Sequence, residues 1–182
     1  MAVINNDLSI FTNKNENGIK LSDRLNTVLT NSKYFDVLVG YFRITGFYLL
    51  KEQLEDVKEI RILIGLGADI ETVRAMDIFE LSGANATRKV QKVITEEFNN
   101  TEDDNLEMEN GVFKFCEWIK SGKLKIRMCY EKNVHAKLYI VRKDPDKVPD
   151  QFGNLITGSS NFTFNGLDKN VEFNVELKNQ SD

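Results

Sequence analysis

One histidine, two cysteines, two prolines and one tryptophan are all that this 182-residue sequence has of those residue types. Cys116 and Cys129 stand thirteen positions apart with no histidine at a zinc-like spacing, so two reduced, half-buried thiols are expected, as suits a cytoplasmic protein. A single histidine also leaves no histidine–carboxylate cluster suited to a divalent ion, and neither a metal nor any other cofactor is expected. The longest apolar runs, 37–40 and 62–64, fall far short of the roughly 20 residues that a membrane span needs. Met1 to Asp7 has no basic segment before an apolar run, so no secretory signal is expected. No Pro- or Ser-rich linker and no internal repeat divides the chain, and it reads as a single domain over 1–182. The phosphate-binding pattern Gly-x-x-x-x-Gly-Lys-Ser/Thr is missing, so these residues supply no ATPase.

What is present suits a globular core, with 41% hydrophobic and 10% aromatic residues. The net charge of −4 is unevenly spread. Residues 96–109 hold seven acids and no Lys or Arg; without them the chain has 24 basic against 21 acidic residues. Residues 120–147 hold nine basic and three acidic residues, so the only histidine, His135, sits in a positive neighbourhood.

In chain order, Leu8 to Thr12 reads as a strand and Asn13 to Gly18 as a loop. Ser22 is placed to cap a helix carrying Leu25, Val28 and Leu29 and ending near Asn31. Phe35 to Tyr41 and Glu59 to Leu66 read as buried strands around a helix from Gly46 to Asp56. Helices are expected over 71–81, over 86–98, and from Met108 to Lys120, the last ended by Gly122. Strands return at 124–130, 136–141 and 155–157. In a final strand, Val171, Phe173, Val175 and Leu177 are expected inward, with Glu172, Asn174 and Glu176 on the other face. This alternation predicts an α/β fold with a mixed, largely parallel central sheet flanked by helices. The chain stops just after that strand, which suggests an excised piece of a longer protein.

The chemistry concentrates in Val134-His135-Ala136-Lys137-Leu138-Tyr139-Ile140. Period-2 alternation puts His135, Lys137 and Tyr139 on one face and Ala136, Leu138 and Ile140 on the other, which is expected to face the core. A surface strand with two basic residues would explain the pair alone. Gly158-Ser159-Ser160-Asn161 adds a turn that can offer hydroxyls, an amide and backbone N–H groups to an oxyanion, and Glu172 adds a carboxylate able to orient an imidazole. In this order and spacing they resemble the phospholipase D superfamily signature: His-x-Lys, a Gly-Ser-x-Asn turn, then an acidic residue. Tyr41-Phe42-Arg43-Ile44-Thr45-Gly46-Phe47, with the His135 strand and Ser159-Ser160-Asn161-Phe162-Thr163, is also similar to the PLD-like domains at the N-termini of bacterial superfamily-two helicases. Tyr41 and Arg43 are read as packing and surface residues, with lining the cleft as the alternative. One departure stands out. The family's fuller pattern has an aspartate five positions after the lysine, where this chain has Arg142. The metal-independent restriction endonucleases that the chain resembles lack that aspartate and rely on a downstream Asn and Glu, matching Asn161 and Glu172.

The resemblance implies a phospholipase D/nuclease-like fold and a phosphodiesterase or nuclease acting on DNA through a covalent phosphohistidine. His135 would be the nucleophile and Glu172 would orient its ring, while Lys137, Ser159 and Asn161 would hold the phosphate oxygens. Because the mechanism needs a second histidine, the resemblance also implies a homodimer with the site at the two-fold interface. A downstream helicase domain in the full-length chain is implied too. The alternatives are a catalytically silent nucleic-acid-binding module of a helicase and a phospholipid phosphodiesterase. The last is disfavoured by the lack of an apolar interfacial segment.

Overall fold

The computed structural model describes residues 4–13, 19–68, 102–129 and 134–181. The helices expected over 71–81 and 86–98, and most of the Asn13–Gly18 loop, lie outside them. Seven strands form one sheet in the order β1-β7-β6-β5-β2-β3-β4. They are β1 (Ile4–Thr12), β2 (Ser32–Phe42), β3 (Glu59–Ala68), β4 (Leu124–Met128), β5 (Leu138–Lys143), β6 (Gln151–Gly158) and β7 (Phe173–Ser181). The expected mixed α/β sheet flanked by helices is found, with a smaller parallel share. Only β2–β3 and β3–β4 pair parallel, and β2–β5, β5–β6, β6–β7 and β1–β7 are antiparallel. The reason is connection length. Helices join β2 to β3 and precede β4, as parallel crossovers require, whereas a short loop containing Pro145 and Pro149 turns β5 back into β6.

The helices among the described residues are α1 (Leu21–Leu29), α2 (Ile44–Tyr48), α3 (Lys51–Glu55) and α4 (Glu102–Ser121), with one π-helical turn at Asn165–Lys169. The position before α1 is Lys20, which makes no side-chain cap, and Ser22 lies inside the first turn, bonded to Asp168 at 3.4 Å. The helix expected over Gly46 to Asp56 is broken at Leu49–Leu50 into α2 and α3. Gly122 ends α4 with a φ of +79°, a conformation that glycine takes without a Cβ clash. Leu25 and Leu29 of α1, Phe47 of α2, Leu54 of α3, and Val112, Phe115 and Trp118 of α4 share one core with Phe35, Val37, Val39, Ile60, Ile62, Ile64, Tyr139, Val141 and Ile156. Burial of each of these large side chains contributes on the order of 1.5–3 kcal/mol.

Two strands present their faces opposite to expectation. On β7, Asn174 and Glu176 are buried under the helices, while Phe173 and Leu177 are about half exposed on the other face beside Leu8 and Ile10 of β1. On β5, Tyr139 is buried, and Leu138 and Ile140 lie on the less covered face. Local bonds make this possible for Glu176 and Tyr139, whereas the buried Asn174 amide has no hydrogen-bond partner among the described residues. Glu176 accepts from Arg24 Nε and Nη2 at 2.6 and 2.7 Å and from Asn154 Nδ2 at 2.7 Å. Tyr139 donates its hydroxyl to the Ser160 carbonyl at 2.8 Å. A paired polar group tolerates burial that an unpaired one does not.

The Arg24–Glu176 pair therefore generates a stability prediction. Glu176→Leu leaves the guanidinium and the Asn154 amide without their acceptor and should lower unfolding free energy by roughly 2–3 kcal/mol in urea titrations. Adding Arg24→Met should restore most of that loss; no recovery would mean that the pair is not what the carboxylate's burial depends on.

Candidate active site

Four strand ends meet at one edge of the sheet. β2 finishes there, β5 begins, β6 finishes at Gly158 and β7 begins just after Glu172. His135 and Lys137 lead into β5, the Ser159–Asn161 turn follows β6, and Glu172 precedes β7. The five site residues expected from the sequence thus gather at one end of the fold.

Asn161 is fixed by the end of β2. Its Oδ1 accepts the Tyr41 backbone N–H at 3.0 Å. A backbone N–H can only donate, so the amide's orientation follows from chemistry: its carbonyl is engaged by β2 and its NH2 group remains to serve another acceptor. The next residue repeats the attachment. Arg43 N–H donates to the Phe162 carbonyl at 3.0 Å, and Phe42 forms a parallel bridge with Phe162 and stacks on its ring at 5.1 Å. The ladder between β2 and β3 shifts register between Val39 and Tyr41 at this place.

His135 is exposed and lies against Gly40, where an added Cβ would come within 3.3 Å of Cδ2 of its ring and 3.5 Å of Asn161 Oδ1. Any larger residue at 40 would push on the imidazole. Lys137, only 6% exposed, brings Nζ to 2.9 Å from His135 Nδ1, 3.1 Å from Nε2 and 2.8 Å from the His135 carbonyl. An ammonium has only protons to offer, so the ring nitrogen that it bonds must present a lone pair. Burial pushes the Lys137 pKa down from its ordinary 10.5, and the nearby Glu172 charge opposes that shift.

Glu172 accepts from the Ser159 hydroxyl and from Asn170 Nδ2, the latter at 3.3 Å, while the imidazole bonds Lys137. The Ser159 oxygen also accepts the Phe173 N–H at 3.1 Å, so its one proton is committed to Glu172. Position 142 lies elsewhere. Arg142 stacks over Tyr34 at 4.3 Å and pairs with Asp36 at 3.3 Å on the opposite face of the sheet. Asp36 also holds Arg61 at 2.5 and 2.8 Å. A cavity of about 500 Å³ on that face, floored by Leu38, Leu63, Leu138 and Ile140, contains none of the five site residues. Sequence reasoning missed Gly40 and the Tyr41 N–H; a glycine ending a buried strand was the available signal. Among the described residues, no three His, Cys, Asp or Glu side chains gather as a metal site, and no helix is long and apolar enough to cross a membrane.

His-x-Lys leading into a strand, an amide-bearing turn and a carboxylate at one end of a mixed sheet accompany membership of the phospholipase D-like phosphodiesterase and nuclease superfamily. The family model described as cardiolipin synthase, PLD-like domain, matches residues 25–182, and the chain belongs to this family. Solved structures agree in fold. Yeast tyrosyl-DNA phosphodiesterase is 15% identical, with 94% of this chain and 32% of that chain covered at a TM-score of 0.51. Phosphatidylserine synthase of Haemophilus influenzae is 16% identical, with 95% and 35% covered at 0.52. The chain spans about a third of the length of these two. No curated protein matches the sequence significantly.

Lys137 carries the prediction here. Its folded-state pKa lies below its unfolded value, so the buried ammonium opposes folding at neutral pH, and that penalty fades as pH rises through the folded pKa toward 10.5. Lys137→Met should therefore match or exceed the wild-type Tm at pH 7, with the difference shrinking as pH approaches 10.5. A mutant less stable than wild type at neutral pH would contradict this account.

Proposed function

We propose that this domain cleaves phosphodiesters in DNA through a covalent phosphohistidine on His135. The observation that carries the reading is the exposed imidazole with the Lys137 ammonium against it and the oriented Asn161 amide at the same edge. An incoming phosphate would draw the Lys137 ammonium and the Asn161 NH2 group onto its non-bridging oxygens, freeing a ring nitrogen to attack phosphorus. The new P–N bond forms as the P–O bond to the leaving group breaks, and the departing oxygen takes a proton from a second histidine. Water then attacks the phosphohistidine and gives its proton to that second histidine, and the P–N bond breaks. Glu172, released from Ser159, would hold the His135 ring, and Ser159 would then be free to reach the phosphate. This chain has no second histidine, so the acid is supplied by His135 of another copy, in a homodimer with the site at the two-fold axis. The Lys137 ammonium beside His135 suits the phosphates of a nucleic-acid backbone. We place the domain at the N-terminus of a helicase-bearing restriction or defence protein in the cytoplasm.

A second reading is a nucleic-acid-binding module that positions DNA for a helicase without cutting. It is favoured by the Glu172 carboxylate bonding Ser159 and Asn170 in place of the imidazole. The names of the family model and of the synthase neighbour would suit a phospholipid phosphodiester, a third reading that the lack of an apolar interfacial segment disfavours.

DNA incubated with the protein in EDTA should be cleaved, and His135→Ala should lose at least about 10³-fold of that rate. During turnover a labelled phosphoryl group should stay on the protein, stable to alkali and labile to acid. Sedimentation should show a dimer. Binding without cleavage would select the module, and cleavage by a strict monomer would refute the shared site.

A further inference from the structure

We infer that Tyr41 is a stacking platform for the nucleobase next to the scissile phosphate, so that the substrate is an unpaired strand. This rests on the reading of the site as one for nucleic acid, and it adds which feature of nucleic acid is recognised besides phosphate. β2 buries Phe35, Val37 and Val39 by strict alternation, which continued unbroken would send Tyr41 inward and Phe42 outward. The opposite is found. Phe42 is fully buried and Tyr41 is 50% exposed. The ladder to β3 is irregular at the same place, with three steps of β3 (Ile64 to Gly67) set against two of β2 (Val39 to Tyr41).

The inversion acts at the site twice. Tyr41's backbone N–H goes to Asn161 Oδ1, and its ring goes to solvent one residue beyond the Gly40 that backs the His135 ring. Its ladder partner on β3 is Gly67. A large aromatic aimed at water beside a phosphodiester site offers what a base needs and a phosphate does not, a flat π-face. A paired base has both faces covered by its stack; an unpaired one can leave its neighbours for the tyrosine.

The test measures binding, with cleavage read in parallel. Affinities for a short single-stranded oligo-dT and for an abasic deoxyribose-phosphate strand of the same length are compared by fluorescence anisotropy. Wild type should favour the oligo-dT by about 5–100-fold. Tyr41→Phe should keep that preference, while Tyr41→Leu and Tyr41→Ala should bring both strands to similar affinity. No preference in wild type, or a preference retained in Tyr41→Leu, overturns the inference. Base preference without cleavage would leave the platform standing and refute the phosphodiesterase reading instead.

Discussion

The attachment of the Asn161 turn to the end of β2 is the constraint on which the site depends. Three successive residues, Tyr41, Phe42 and Arg43, hold the turn through an N–H to Asn161 Oδ1, a ring stack on Phe162 and an N–H to the Phe162 carbonyl. Phe162 is also within ring contact of Phe35 and Tyr139, with centroids at 6.5 and 6.3 Å. The residue after the site amide is therefore a centre of the aromatic core. Movement of Asn161 requires movement of Phe162, and a close-packed interior resists that. A loop residue thereby gains the positional precision of a strand.

Around this attachment the fold tolerates polar burial in two different ways. Glu176 is buried with its bonding satisfied by Arg24 and Asn154, and its contribution is structural. Lys137 is buried with its charge disfavoured and its protons directed at His135, so its burial opposes stability. Side chains that oppose the fold where they stand are expected where chemistry is done. The contrast separates the polar group that holds the sheet together from the one that equips its edge.

That the candidate site residues lie together was legible in the sequence and the faces of the sheet were not, for one physical reason. Short motifs at strand ends keep their neighbours whatever lies above or below, so His135, Lys137, Ser159, Asn161 and Glu172 come together as their order implied. Alternation shows only that Glu172, Asn174 and Glu176 share a face. Which face the helices cover depends on partners such as Arg24, 152 positions away in the chain. The inverted faces of β5 and β7 follow from that. The inversion at the end of β2 was illegible for a related reason: Tyr41-Phe42 offers an aromatic at each parity, and either is acceptable until Phe162 is in place.

The same alternation bears on the missing aspartate. Position 142 is five residues beyond Lys137, and an odd separation along a strand places it on the opposite face, roughly 17 Å further along. There Arg142 joins Asp36, Arg61 and Tyr34 in a cluster of its own. Its side chain can alter the packing and charge of the sheet's far face, but in this arrangement it does not reach the imidazole or anything bonded to it. The chemistry proposed for this edge therefore turns on a nearer rearrangement: whether Glu172 exchanges the Ser159 hydroxyl for the His135 ring when a phosphate draws the Lys137 ammonium away.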